Sequence, residues 1–405
     1  MVLPHVETMT PELVSKIESL VRAGATIIGN PPVRSPSLVN YPECDKQVKA
    51  LAENIWGSGE TPKELTLHEY GHGKIWQGEV LKTYKSISSI REDTLNLYPD
   101  YNLTTSLLKS AGVKPDFISS GNIRYTHRSL TDRDIYFISN RTGSIISDTC
   151  IFRNGTANAE LWNPVTGEIN SLRCFHRSDG TISVPVSLDA YESYFIVFYH
   201  LPPSASRKLL NPENFQEKQT IYTLAGAWNL SFDTVWGGPD HIVFDSLIDW
   251  SQRPEDGVRY YSGIALYNKS FDLPDNQELS ENYHYYLDCG ILKNLGRIKL
   301  NGRDLGIIWT SPWQVDITDV LKRKYNTLEI QVANLWINRL IGDESRPWDG
   351  VINGRWPEWL LNGTRRESKR YTFTTHHFYR KGDPLAESGL IGPVSIRMVK
   401  KPPHF

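Results

Sequence analysis

Residues Tyr285–Leu340 read YYLDCGILKNLGRIKLNGRDLGIIWTSPWQVDITDVLKRKYNTLEIQVANLWINRL, and their pattern decides the fold. Asn301 and Gly302 suit positive φ at both centres of a type I′ turn, with Arg297–Leu300 and Asp304–Ile308 as the flanking strands. Pro312 ends the strand pattern, and Trp313–Ile317 alternates large apolar with polar residues. Thr318 and Asp319 are placed to cap a single helical turn ending near Asn326, after which Thr327–Val332 returns as a strand. Strand, hairpin, strand, capped turn and strand are expected to form one layer of an antiparallel β-sandwich, read as a jelly roll.

These residues resemble the sugar-binding β-sandwich of large multidomain glycosidases. The resemblance rests on Asn301 and Gly302 followed by Leu305 and Gly306, then Asp316–Thr318, then Asn326–Ile330, with Asp249–Ser251 and Tyr260–Tyr267 upstream. The specific similarity is to the C-terminal half of glycoside hydrolase family 106, the α-L-rhamnosidases, over nearly the whole chain. It implies a multidomain α/β plus all-β protein: a small amidotransferase-like α/β domain at 1–118, a small β-sandwich at 119–205 and a galactose-binding-like jelly roll at 206–405.

The 405 residues are enough for two or three domains with their own cores. A net charge of −2 without any run of like charges leaves no basic footprint for nucleic acid. No apolar stretch reaches membrane-spanning length, and Tyr194–Tyr199 reads as a buried strand. The 12 Trp and 20 Tyr beside 3 Met suit a sugar-handling β protein and equally suit aromatic sandwich cores. Met1–Pro4 leads into an acidic, polar stretch rather than a signal peptide. Asn-x-Ser/Thr sequons start at Asn102, Asn140, Asn154, Asn229, Asn268 and Asn362.

Along the chain, Thr10 and Pro11 open a helix whose face is expected to be Leu13, Ile17, Leu20 and Val21, ended by Gly24. Ala25–Ile28 and Gly73–Gln77 read as strands, Asp45–Trp56 and Leu103–Ser110 as helices. Helices alternating with short strands suggest an open, mostly parallel sheet. The similarity to the family continues through Met9–Glu12, Gly24–Gly29 and Gly112–Phe117, and the start at Val2–Pro4 reads as part of a longer protein. From 119 to 205 the pattern is almost all strand: Arg124–His127, Asp134–Ser139, Ser147–Phe152, Ala159–Trp162, Ile182–Val186 and Ser193–Tyr199. Residues 201–215 read as a Pro-rich polar linker, and the jelly roll runs from near Ile221 to Ile396–Val399.

His68, Glu69 and His72 form a literal HExxH, but Gly71 and Gly73 interrupt it and its flanks read as strand, so no zinc is expected. Cys44 precedes a helix without the glycines of a nucleophile elbow and reads as structural. Cys150 and Cys174 either pair across the small sandwich or act as buried hydrophobes; geometry decides. Trp309, Trp313, Trp336, Trp348, Trp356 and Trp359, with Arg339 and Asp343 between them, are the candidate carbohydrate-binding residues, on an irregular loop followed by a strand with His376 and His377. Sugars stack on aromatic rings while polar groups meet their hydroxyls. The same tryptophans could instead pack the sandwich or its joint with another domain.

Glycoside hydrolysis needs two carboxylates facing one another across the scissile bond. The resemblance places that pair in a catalytic barrel that no segment here matches, so no catalytic residue is assigned and the chain alone is expected to be inactive. The reading is the accessory C-terminal part of an α-L-rhamnosidase-like enzyme, supporting or contacting a missing N-terminal catalytic domain, with carbohydrate binding by the jelly roll. A free-standing carbohydrate-binding module is the alternative. The expected partner is a rhamnose-containing glycan, without cofactor, nucleic acid or membrane, in an extracellular or periplasmic setting for the full-length protein.

Overall fold

Thr10 caps the first helix, α1 (Pro11–Arg22), by accepting a hydrogen bond from the Leu13 amide at 3.3 Å. The computed structural model describes residues 1–82, 101–156, 158–177, 179–200 and 214–401. Val14, Ile17 and Val21 form the buried stripe of α1, whereas Leu13, expected inward, is 49% exposed. The correction follows from helical geometry, since Leu13 precedes Val14 by one residue, about 100° around the helix, and flanks the stripe rather than lying in it. After α1 come β1 (Thr26–Ile28), α2 (Glu43–Trp56), β2 (Thr66–Tyr70), β3 (Gly73–Gln77) and α3 (Tyr101–Ser110). β3 lies between β1, to which it is parallel, and β2, to which it is antiparallel. Ile27 and Ile75 on this sheet meet Val48, Ile55 and Trp56 of α2 in one core.

The chain divides into one compact unit ending at Pro115 and a second starting at Asp116. The second opens with β4 (Phe117–Ile118), β5 (Ile123–Ser129), β6 (Arg133–Asn140), β7 (Ile146–Phe152), β8 (Ala159–Trp162), β9 (Ile169–Leu172), β10 (Phe175–His176), β11 (Ile182–Leu188) and β12 (Ser193–Tyr199). They form two sheets, ordered β10-β11-β7-β4 and β5-β6-β12-β8-β9. Alternation along β6, β7, β11 and β12 turns Tyr136, Phe152, Val184 and Phe198 into the shared core. Cys150 and Cys174 are both free thiols, and burial pushes each up to about 12, which leaves them protonated at neutral pH. The segment read as a linker lies, apart from its last two residues, outside the described residues.

A polar clasp closes one edge of this sandwich. His127 on β5 stacks on Tyr136 at 4.0 Å and brings its two ring nitrogens within 3.1 Å of Asp116 and 3.1 Å of Asp134. Asp134 also meets His200 Nε2 at 2.9 Å and accepts from Asn154 at 2.9 Å, while Asp116 accepts from Tyr136 at 3.2 Å. The bond to Asp134, with the Thr131 carbonyl behind the other ring nitrogen, raises the His200 pKa above its ordinary value. Burial pushes Asp134 up, but hydrogen bonds from His200, Ser129 and His127 outweigh it and hold the carboxyl below its usual range. The raised histidine contributes stability fully present below about pH 6.5 and lost as pH rises through its folded value. The depressed aspartate contributes stability present above about pH 4 and lost as pH falls through its folded value. Thermal melts of the protein and of His200→Gln are therefore expected to differ most in mildly acidic buffer and to converge at alkaline pH; a constant difference would exclude the clasp as a titrating contact.

The rest of the second unit comprises β13 (Gln219–Thr223), β14 (Trp228–Phe232), β15 (Ile242–Phe244), α4 (Asp256–Arg259), β16 (Ile264–Phe271), β17 (Tyr283–Asp288), β18 (Ile291–Lys293), β19 (Leu295–Leu300), β20 (Arg303–Ile308), β21 (Gln314–Asp316), β22 (Asn326–Ala333), α5 (Ile337–Asp343), α6 (Glu358–Leu361), β23 (Gly389–Gly392) and β24 (Ser395–Lys400). A sheet ordered β15-β14-β16-β22-β19-β20 faces one ordered β13-β24-β17-β21, and β18 pairs with β23 beside them. Trp228, Tyr267, Ile298 and Ile330 from the first and Tyr285, Leu287 and Ile396 from the second bury one core. Asn301 and Gly302 take φ of 52° and 83°, as the type I′ turn between β19 and β20 requires.

Two expectations for this stretch are corrected. β21 does not extend the layer of β19, β20 and β22 but crosses to pair with β17 in the facing sheet. Pro312 lacks the amide that would continue the β20 ladder, and the chain leaves that sheet before β21 begins. No helix element forms between Thr318 and Asn326; Leu321 N donates once to Ile317 O at 2.9 Å. The Thr318 amide is held by Asp316 at 2.7 Å, and buried Asn326 bonds both the Lys322 amide and carbonyl, so side chains replace helical bonds there. Among the described residues no helix is long and apolar enough to cross a membrane.

Candidate functional site

The candidate residues gather where β22 gives way to α5 and a long irregular return to β23. Asn334 anchors the exit by accepting from the Gly263 amide at 3.1 Å and donating to Tyr261 O at 2.8 Å. Asn338, the second residue of α5, bonds both the amide and the carbonyl of Ala386 at 2.8 Å, stitching the helix to the far end of the return. The base of the loops is thereby fixed by side-chain amides acting as substitutes for strand pairing.

Arg339 and Asp343 lie four residues apart on α5 and are both buried. Arg339 donates to Trp236 O at 3.0 Å and lies over the Tyr371 ring at 4.4 Å. Burial lowers its pKa, with Asp343 and Tyr371 opposing that shift. One oxygen of Asp343 accepts from the Tyr371 amide at 2.9 Å, the Thr372 amide at 2.7 Å and the Thr372 hydroxyl at 2.8 Å. These residues are the internal scaffold of the loop, out of reach of a ligand on its surface.

Beyond α5 the carboxylates are engaged in turn. Glu344 accepts from Arg370 and meets His377 Nδ1 at 2.6 Å. Asp349 takes a two-nitrogen grip from Arg366 and a 2.6 Å bond from Ser368. Burial pushes the Asp349 carboxyl up, but the bonds from Arg366 and Ser368 prevail and hold it below its ordinary value. His376 and His377, expected in a strand, lie in the irregular return; their surroundings are ion pairs and rings rather than a ladder.

The six tryptophans separate into distinct environments. Trp348 stacks against His377 with ring centroids 3.6 Å apart, and Arg370 lies over it at 4.9 Å. A Cβ on Gly350 would come within 2.3 Å of the Trp348 ring, so that side is closed as well. Trp359 donates to Asp349 O at 2.7 Å beneath Arg366 at 4.4 Å. Trp313 is half-buried against the sandwich core. Trp309, at 58% exposure, follows β20, and nearby Ser311 donates to Ala190 of the small sandwich at 2.6 Å. Trp336 is 40% exposed and meets Trp236 edge-on at 5.5 Å, with Phe373 on its other contact at 6.1 Å. Trp356 is 53% exposed and meets His376 edge-on at 6.0 Å. Trp336 and Trp356 thus combine an accessible ring with a place on this face. Trp236 and Phe373 escaped sequence reasoning, since one precedes Trp336 by a hundred residues and neither follows a periodic pattern.

The HExxH residues are placed differently from a zinc site. His68 and Glu69 are on β2 and His72 is in the turn before β3, so their side chains do not share a helical face. Among the described residues no group of three or more His, Cys, Asp or Glu is arranged to hold a metal. Cys44 is buried in the first turn of α2.

Residues 1–176 match the model of glycoside hydrolase family 106, described as alpha-L-rhamnosidase. A rhamnosidase from Novosphingobium sp. PP1Y has a similar solved structure, with 28% identity and a TM-score of 0.59 over 97% of this chain and 32% of that one. A putative beta-glucuronidase from Formosa agariphila is 23% identical, the alignment covering 98% of this chain and 50% of the relative. The chain therefore spans about half the length of the curated relative it matches and about a third of that rhamnosidase. The family match over residues 1–176 and the structural match over 97% of the chain make it similar to glycoside hydrolase family 106.

Proposed function

We propose that the chain is the accessory, carbohydrate-facing part of an α-L-rhamnosidase-like glycoside hydrolase, working with a catalytic barrel that it does not itself contain. In this reading residues 1–118 are an amidotransferase-like domain, 119–205 a small sandwich and 206–405 a galactose-binding-like jelly roll. Its loop face presents Trp336 and Trp356 to a rhamnose-containing glycan. The names of the relatives, a rhamnosidase and a putative beta-glucuronidase, support a glycoside as the substrate class.

The observation that carries the accessory role is the state of the loop carboxylates. A general acid must hold a proton near neutral pH, and its partner must face it across an open cleft. Asp343 is buried under backbone donors, Glu344 is tied to Arg370 and Asp349 to Arg366. Each is occupied in structure, and Asp349 is held ionised.

The experiment pairs hydrolysis with binding. The chain alone is expected to release no rhamnose from an aryl rhamnoside; turnover that survives repurification and is abolished by changing one carboxylate would overturn the accessory reading. Trp356→Ala is expected to weaken binding of a rhamnose-containing oligosaccharide by about tenfold, roughly 1.4 kcal/mol, with an unchanged melting temperature. Trp348→Ala, which removes a packed ring, is expected to cost about 2–4 kcal/mol of stability. Equal affinity of the parent and Trp356→Ala would remove the stacking platform.

A further inference from the structure

Both imidazoles in the clasp at the edge of the small sandwich face oxygen on either side. His127 stands between carboxylates, with Nδ1 3.1 Å from Asp116 Oδ2 and Nε2 3.1 Å from Asp134 Oδ1. His200 stands between a carbonyl and a carboxylate, with Nδ1 3.1 Å from Thr131 O and Nε2 2.9 Å from Asp134 Oδ2. A neutral imidazole offers one N–H and one lone pair, whereas carbonyls and ionised carboxylates only accept. Filling all of these contacts requires a proton on every ring nitrogen, so both histidines are imidazolium in the complete clasp. A protonated carboxyl is no substitute. Asp134 is held below its usual range, and Asp116 already accepts from the Tyr136 hydroxyl at 3.2 Å and from Arg153 at 3.4 Å. His127 also stacks flat on Tyr136, with centroids 4.0 Å apart, and cannot turn a nitrogen away without giving up that contact.

The groups around the two rings come from distant segments. Asp116 precedes β4, Asp134 and Tyr136 lie on β6, Arg153 and Asn154 follow β7, and Asp132, paired with Arg133 at 2.6 Å, lies in the β5–β6 turn. Without the added protons Asp134 keeps its bonds from Asn154 and Ser129, and Asp116 keeps Tyr136 and Arg153. What is lost is the link between segments. His200 follows β12 and holds the hairpin tip by its amide, which donates to Asp132 O at 2.9 Å, and by its two ring contacts. We propose that the clasp is a two-proton latch, fastening the tip of the β5–β6 hairpin to the exit of β12 when both imidazoles are charged and releasing it when they are neutral. It is closed in acid and opens as pH rises, the direction that the raised pKa of His200 requires.

The test uses the intact chain with 15N-labelled histidines at about pH 5.5 and about pH 8.5, on either side of the ordinary histidine range. His127→Gln and His200→Gln identify the two sets of ring resonances. Both rings are expected to carry two protonated nitrogens at the lower pH and one at the higher. Amide hydrogen exchange, corrected for its intrinsic pH dependence, should be about tenfold faster at the higher pH for Leu130 and His200, whose amides bond across the hairpin tip at 2.8 and 2.9 Å. The β19–β20 hairpin at Asn301 and Gly302 is the internal reference and should keep a constant corrected rate. Asp134→Asn, which removes the shared acceptor, should abolish the difference between the two pH values. A neutral ring at the lower pH for either histidine would overturn the two-proton assignment. Unchanged exchange at Leu130 and His200, or an equal rise in the reference hairpin, would overturn the latch; so would a pH difference that persists in Asp134→Asn. Where a variant fails to fold, the exchange ratio of the parent decides.

Discussion

Asp343→Ala is expected to destabilise the second unit by about 3–5 kcal/mol, the range for removing one partner from a buried charged network. The carboxylate is fully buried and accepts three hydrogen bonds, two of them from consecutive backbone amides at Tyr371 and Thr372. Alanine strands those donors away from water, and each unsatisfied buried group costs about 1–3 kcal/mol. Tyr371 would also lose its position beneath Arg339 and Arg346, whose guanidinium groups lie 4.4 and 5.0 Å from its ring. Asp343→Asn keeps an acceptor and should cost less than half as much. Urea titration followed by tryptophan fluorescence checks both, because Trp348 and Trp359 sit on the loop that Asp343 anchors. A loss under about 1 kcal/mol for alanine would mean that the loop holds itself without this carboxylate.

Trp250→Ala is expected to cost a further about 3–5 kcal/mol in the sandwich core, as large aromatic truncations do when the cavity cannot close. Trp250 is fully buried, donates to the Tyr267 hydroxyl at 2.6 Å and meets Phe232 edge-on at 5.2 Å. Gly389 closes the pocket from the opposite strand. A Cβ there would stand 2.3 Å from the Trp250 ring nitrogen, at a φ of 90° that L side chains rarely adopt. Gly389→Ala should therefore destabilise the same core from the other side. The two variants should be sub-additive when combined, since removing the Trp250 ring relieves the crowding that a Cβ at position 389 creates. Trp309→Ala, on an exposed ring, should stay within about 0.5 kcal/mol of the parent. Equal melting temperatures for Trp250→Ala and Trp309→Ala would contradict the packing described here.

The turn at Asn301 and Gly302, the caps at Thr10 and Pro11 and the alternating strands of both sandwiches were legible in the amino-acid sequence alone. Each depends on backbone sterics or on side chains within a few residues, where φ preference and a period of two are sufficient information. Family resemblance was legible for the same reason, because its marks are short local motifs. The sheet to which β21 belongs was not legible, since hydrogen-bond partners on either side of a sandwich present the same alternation. Nor was the division of the tryptophans. Trp348 and Trp356 stand eight residues apart in similar loop sequence, yet one is stacked on His377 and the other exposed. What separates them is the pairing of Glu344 with Arg370 and Asp349 with Arg366, across 26 and 17 residues of irregular chain. The clasp of Asp116, His127, Asp134 and His200 arises in the same way from distant segments. Such pairs follow no repeat, and desolvation selects them only once the chain has closed around them, so tertiary structure alone decided which charges were spent inside and which remained on the surface.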